Sequence, residues 1–202
     1  MARLPDPLLA ERRRRQIMDA AVACFRRRGF HQATMAEICA EADISAGALY
    51  RYFSSKAEII AAIAEDKRDE GDATFARAAE RDGLIEALVQ SARGFFEKIE
   101  EGDSALIAEI LSEGIRDDAI AAQLKQIDHR SVMVLSAALA AAQKRGEIDV
   151  ALDPEITAQT LFAAIEGIGL RRAFQRTTAA KEAVAQFRTL AQRYLRPVHE
   201  QA

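Results

Sequence analysis

The densest set of chemically capable side chains lies between Thr34 and Lys56, in the run TMAEICAEADISAGALYRYFSSK. It holds hydroxyls at Thr34, Ser45, Ser54 and Ser55, the aromatic residues Tyr50, Tyr52 and Phe53, and the cations Arg51 and Lys56. Nothing there is arranged for making or breaking bonds. No nucleophile stands at a workable spacing from a base, and no glycine-rich phosphate loop or carboxylate constellation occurs, so no enzyme and no cofactor are expected. Hydroxyls, phenols and cations on a short segment suit hydrogen bonding to phosphates and base edges instead.

Local physics says how that segment folds. Thr34 and Glu37 form a capping box, worth about 1 kcal/mol, which fixes the start of a short helix. Met35, Ile38, Cys39 and Ala42 then recur at helical spacing and give it one apolar face. It must stop near Asp43, because Ser45 is the next cap, and Asp is among the few non-glycine residues that tolerate a left-handed turn. A second helix follows from Ala46 to Phe53, opening with Ala46, Gly47 and Ala48. A glycine inside a helix costs about 1 kcal/mol relative to alanine, and close approach of a groove is a reason to accept that. Leu49 and Phe53 point inward, so Tyr50, Arg51 and Tyr52 cannot all do so. Ser55 with Glu58 forms a second capping box. Lys56 falls in the first turn of the next helix, where a cation opposes the dipole, so a phosphate contact explains it better. The pattern is a helix-turn-helix with a thin, groove-sized second helix. A three-helix unit with solvated tyrosines is the alternative.

The formal charge of −3 hides an uneven distribution. Residues 1–56 hold ten Lys/Arg against six Asp/Glu, whereas residues 57–202 hold eighteen against twenty-five. A basic head on an acidic body fits a chain whose head alone meets nucleic acid. Arg12, Arg13, Arg14 and Arg15 precede the apolar face that begins at Ile17 and continues through Ala20, Ala21, Cys24 and Phe25. Read as a helix start, four cations there oppose the dipole, which points to a phosphate-facing arm. Arg26, Arg27 and Arg28 close the same helix before Gly29, where the dipole favours cations and a solvated end suffices. Cys24 and Cys39 lack paired-ligand spacing and read as core thiols. His31, His129 and His199 are scattered, so no metal site is expected.

The segment resembles the DNA-binding domain of the tetracycline-repressor (TetR) family of bacterial regulators. The resemblance rests on Gly29, Thr34, Ile38, Ala42, Ile44, Ser45, Gly47, Leu49, Tyr50, Tyr52, Phe53, Lys56 and Glu58, and covers about residues 12–60. Asp43 stands where the family usually has glycine, and Cys39 where a small residue is usual. The resemblance implies a recognition helix at 46–52, with Ala46 and Gly47 at its start. Gly47, Tyr50 and Arg51 then meet base edges, and Thr34, Ser45, Tyr52 and Lys56 meet phosphates. Arg51 is also the best independent choice for base readout, through a bidentate arginine–guanine pair.

The body reads as helices without a credible strand. Segments begin near 56, 84, 117, 154 and 180, with a shorter one carrying Leu106, Ile107, Ile110 and Leu111 between Glu101-Gly102-Asp103 and Gly114, and further breaks at Asp82-Gly83, Arg145-Gly146 and Pro197. Asp153-Pro154 is a strong helix start. The expected class is all-α with about nine helices: a three-helix head over residues 1–56, then an effector-binding and dimerisation domain over 57–202. Ala163, Ala164, Gly167 and Gly169 allow close helix approach. By the resemblance, the last two helices pair in a homodimer, and an effector binds among helices five to eight. Candidate pocket residues are Phe95, Ile110, Met133, Phe162, Glu166 and Phe174. No apolar run is long enough for a bilayer and no signal segment is seen, so a cytoplasmic location is expected. The implied function is a repressor that binds double-stranded operator DNA and is released by a small-molecule effector. A constitutive regulator or activator without an effector is the alternative.

Overall fold

The structure, a computed structural model, describes residues 7–80, 83–177 and 179–196. The Asp82 half of the Asp82-Gly83 turn, the Pro197 stop and His199 lie outside the described residues. Among those described there are helices and no strand: α1 (Pro7–Arg28), α2 (Met35–Glu41), α3 (Ala46–Tyr50), α4 (Lys56–Ala79), α5 (Leu84–Lys98), α6 (Ser104–Arg116), α7 (Asp118–Lys144), α8 (Pro154–Phe174) and α9 (Ala180–Tyr194). A π-turn over Ile99–Asp103, with Gly102 at φ 105°, joins α5 to α6. No described helix is long and apolar enough to cross a membrane.

By contacts the chain divides into two compact units. The first comprises residues 1–65 and 105–124, the second 66–104 and 125–202. The head therefore contains the start of α4 and most of α6, as well as the three N-terminal helices. Its core is Ile17, Ala21, Phe25, Ile38, Leu49, Phe53, Ile59, Ile60 and Ile63, completed by Leu106, Ile110 and Ile120. A unit of only three helices, two of them as short as α2 and α3, would be marginal, as small domains are. Leu106 and Ile110 of α6, with Ile120 at the start of α7, supply the rest of the core.

The second unit is built around Phe75, Leu84, Leu88, Phe96, Leu135, Leu139, Leu161, Phe162, Ile165 and Phe187. Asp153 caps α8 by accepting the Ile156 amide at 2.8 Å, with Pro154 at the first helical position. Gly169 is required where α8 crosses α5, because a Cβ there would lie 2.6 Å from a ring carbon of Phe95.

Candidate nucleic-acid interface

The helix-turn-helix is assembled by the contacts its residue types predict. Thr34 Oγ1 accepts the Glu37 amide at 3.2 Å, and Glu37 Oε2 accepts the Thr34 amide at 2.9 Å. That reciprocal pair holds the Glu37 carboxyl below its ordinary range, the Thr34 amide being the largest cause. Asp43 adopts φ 49°, the left-handed turn expected of it, and the Ile44 amide donates back to the Cys39 carbonyl at 3.1 Å. Ser45 Oγ accepts the Ala48 amide at 3.2 Å and starts α3. Gln16 Nε2 donates to the Ala42 carbonyl at 2.6 Å, tying α1 to the end of α2.

α3 is shorter than its sequence pattern suggested. It ends at Tyr50, with Arg51 as C-cap and Tyr52 in the turn that follows. Leu49 and Phe53 are buried as the pattern requires, while Ser45, Ala46, Gly47, Tyr50 and Arg51 are exposed and Tyr52 is half-buried. A Cβ on Gly47 would meet nothing within 4 Å, so only an outside object can require a glycine there. Arg13, Ser45, Ala48, Arg51 and Tyr52 line a groove of about 260 Å³ that carries two cations, two hydroxyl-bearing side chains and one acid, Asp43. A larger concavity of about 660 Å³ lies beside it. Glu11, Asp19, Glu41 and Asp43 line that one together with Arg12 and Arg15, a balance that disfavours a phosphate backbone.

Three sequence readings change. α1 begins at Pro7, so Arg12–Arg15 lie in its second and third turns instead of before it. The dipole acts within the first turn, so it says nothing about these arginines. They also differ from one another: Arg14 stacks 4.6 Å from the Phe53 ring centroid, Arg13 donates to Gln16 at 2.8 Å, and Arg12 donates to the Leu8 carbonyl at 3.3 Å. Secondly, Arg27 and Arg28 are not merely a solvated helix end, since they pair with Glu41 at 2.6 Å and Glu37 at 3.0 Å on α2. Thirdly, the second capping box is offset: Ser55 Oγ accepts the Glu58 amide, but Glu58 Oε2 returns to the Ser54 amide at 2.6 Å.

Lys56 has an unexpected setting. Its Nζ donates to the carbonyls of Phe30 at 2.6 Å and His31 at 3.2 Å, and lies 4.7 Å from the Phe30 ring centroid. Desolvation pushes this ammonium's pKa down, with Glu113 and Glu109 of α6 opposing. Cys24 and Cys39 are buried and unbridged, and burial pushes the Cys24 thiol up, away from a reactive thiolate.

A sequence profile described as bacterial regulatory proteins, tetR family, matches residues 17–63, and one described as BetI-type transcriptional repressor, C-terminal, matches residues 84–196. The chain belongs to the TetR family. It is similar to the HTH-type transcriptional regulator UidR of Escherichia coli K12, at 31% identity over 163 residues, or 79% of this chain and 81% of UidR. It is also similar to TtgR of Pseudomonas putida, at 29% identity over 79% of each chain. Among solved structures, Salmonella enterica GusR superposes with a TM-score of 0.78 at 30% identity, covering 95% of this chain and 98% of GusR. TetR-family membership makes this chain a DNA-binding transcriptional regulator and not an enzyme.

The residues named for an effector pocket fall in both units. Ile110 belongs to the head's core, whereas Met133 and Phe174 are 49% and 86% exposed. Phe95 is half-buried against the α8 backbone at Gly169. Phe162 and Glu166 do come together, at Arg68 of α4. Its guanidinium stacks 4.7 Å from the Phe162 centroid and donates to Glu166 Oε1 at 2.7 Å, with Asp128 at 3.5 Å. Burial pushes the Glu166 carboxyl up, and Arg68 only partly offsets it. Sequence reading missed Arg68. Its place on the long α4 carried no motif to single it out.

Proposed function

We propose that this regulator is a homodimeric repressor whose grip on operator DNA is released by a small-molecule effector held in its second unit. The observation that carries the effector reading is the Arg68–Glu166 pair beside Phe162. Taking two opposite charges partly out of water, at 26% and 32% side-chain exposure, is a poor way to stabilise a helical core, since apolar side chains of equal volume do as well or better. Such a pair earns its place where a polar ligand group must be recognised. The BetI-type repressor profile supports the same reading. Two fold neighbours were solved with small molecules: Bacillus subtilis FadR in complex with stearoyl-CoA, and SmeT with triclosan.

On the DNA side, α3 enters the major groove with Gly47, Tyr50 and Arg51 at base edges. Thr34, Ser45, Tyr52 and Arg13 face phosphates. The dimer reading draws on α8, where Ile156, Ala163, Gly167 and Phe174 form an exposed stripe at helical spacing with Ile156 62% and Phe174 86% exposed. Two heads on a two-fold axis would reach successive major grooves about 34–36 Å apart. An effector acts only through its differential affinity for the DNA-competent and released states.

A thermal-shift screen of metabolites against the purified protein, followed by operator release, tests this reading. A compound that stabilises the wild-type protein and releases DNA, and does neither for Arg68→Met, would support it. A compound that releases DNA equally from Arg68→Met would move the pocket elsewhere.

A further inference from the structure

The short turn between α1 and α2 is gripped from two directions by residues far away in the sequence. On its carbonyl side, Lys56 Nζ takes both Phe30 O and His31 O. Two α6 carboxylates, one helical turn apart, take its donors. Glu109 Oε2 accepts the Phe30 amide at 2.9 Å, and Glu113 Oε1 accepts from His31 Nε2 at 2.8 Å. Gly29 at φ 77° makes room, since a Cβ there would lie 2.8 Å from Glu109 Oε1. The Glu113 side chain is only 7% exposed, so its carboxylate has exchanged water for this contact.

We propose that Lys56, Glu109 and Glu113 are positioning residues that clamp the Gly29–His31 turn and so set the helix-turn-helix for DNA, without touching DNA themselves. Thr34, the cap of α2, stands three residues after His31, so the turn fixes where α2 begins. Lys56 was expected to bind phosphate, yet its ammonium already has two carbonyls and a ring around it. Only the third N–H of the ammonium is left over, so a full phosphate contact would compete with these two. The carboxylates present a second puzzle that the clamp resolves. Acids in a DNA-binding head repel the backbone, and the first unit holds eleven Lys/Arg against twelve Asp/Glu once α6 is counted. Glu109 and Glu113 are tolerated there because they hold the turn.

The proposal rests on DNA binding by the head, and its test has one arm that needs no DNA. Operator fragments selected by the full-length protein are titrated over a salt series with Lys56→Gln, Glu109→Ala, Glu113→Leu and Glu113→Gln. Lys56→Gln should weaken operator binding with an unchanged salt slope; a slope smaller by about 0.9 per head would make Lys56 a phosphate contact and overturn the clamp. Glu109→Ala and Glu113→Leu remove negative charge, which by electrostatics alone should tighten binding. The clamp predicts the opposite sign, a loss of about fivefold or more, with Glu113→Gln near wild type because it keeps an acceptor. Tightening by all three acid variants would overturn it. If Glu113→Leu does not fold, Glu109→Ala decides. Without DNA, amide exchange at Phe30 should accelerate in Glu109→Ala. Unchanged exchange would overturn the clamp even if the wild-type protein selected no operator, a result that would separately count against the repressor reading.

Discussion

Arg14 lays its guanidinium on the ring of Phe53, 4.6 Å from the centroid, and so joins α1 to the residue that closes the recognition segment. One of four consecutive arginines is thereby assigned to holding the head together, while Arg13 lines the groove shared with Arg51 and Ser45.

The two should separate in a salt titration. Arg13→Ala is expected to lower the slope of log K against log salt by about 0.9 per head, as loss of one phosphate contact does. Arg14→Ala should leave the slope near wild type and lower stability by about 0.5–1 kcal/mol. Thermal melts alongside the titrations check both. Equal slope losses would mean that the stacked arginine also meets DNA.

Gly47 offers a cleaner separation of fold from function. Alanine at this position meets no atom within 4 Å and should raise helix stability by up to about 1 kcal/mol. If α3 enters the groove as proposed, operator affinity should nevertheless fall, because the added methyl would stand in the way of the groove wall. A variant more stable and equally tight would remove Gly47 from the interface.

Arg51→Ala should relax preference at one operator position by about 1–3 kcal/mol while nonspecific binding persists. Competition between the operator and single-position variants measures this. A uniform loss on every sequence would reassign Arg51 to phosphate.

Acid should open the head at its cap. The Glu37 carboxyl is held down by the Thr34 amide, so its stabilisation is present above the ordinary carboxylate value. It is lost as pH falls through the lowered folded value. Exchange at the Thr34 amide should accelerate over that acid range in the wild type and be fast at every pH in Glu37→Ala. Glu166 has the opposite sign: its carboxyl is raised by burial, so its contribution declines as pH rises from the ordinary glutamate value through the raised one. Glu166→Gln should flatten that decline, read from denaturant melts at several pH values.

Much of the head was legible because its signals are local. A cap and its partner stand three residues apart at Thr34 and Glu37, and the tight turn needed a residue such as Asp43. Arg14 was read with the phosphate-facing arm, although it stands three residues before Ile17 and seven before Ala21, both buried. Its neighbours in the arginine run obscured that period. Lys56 was not legible, because its partners Phe30 and His31 are set by tertiary packing 26 and 25 residues away. Ile110 shows the same limit. Helical periodicity correctly marked its face as buried, but the period names a face and not the partner, which is the head. Phe187 is another such case: the resemblance implies that the last two helices pair in a homodimer, but the apolar period of α9 also serves its own unit, where Phe187 is fully buried.

The dimer test therefore moves to α8. Phe174→Glu and Gly167→Glu alter exposed positions and should give folded monomers with weak operator binding, seen by light scattering. Phe187→Glu should unfold the second unit instead, since even Phe→Ala in a core costs about 3–5 kcal/mol. Dimers that persist in both α8 variants would place the interface elsewhere.

The central claim is that α3, presented twice by a symmetric dimer, reads a specific DNA sequence. Selection of genomic DNA fragments by the purified protein tests it most directly. The prediction is enrichment of an inverted repeat whose half-sites are centred about one helical turn, or a multiple of it, apart. That enrichment should be lost with Tyr50→Ala and Arg51→Ala together. Recovery of fragments sharing no repeat, or an enrichment unchanged by that double variant, would contradict it.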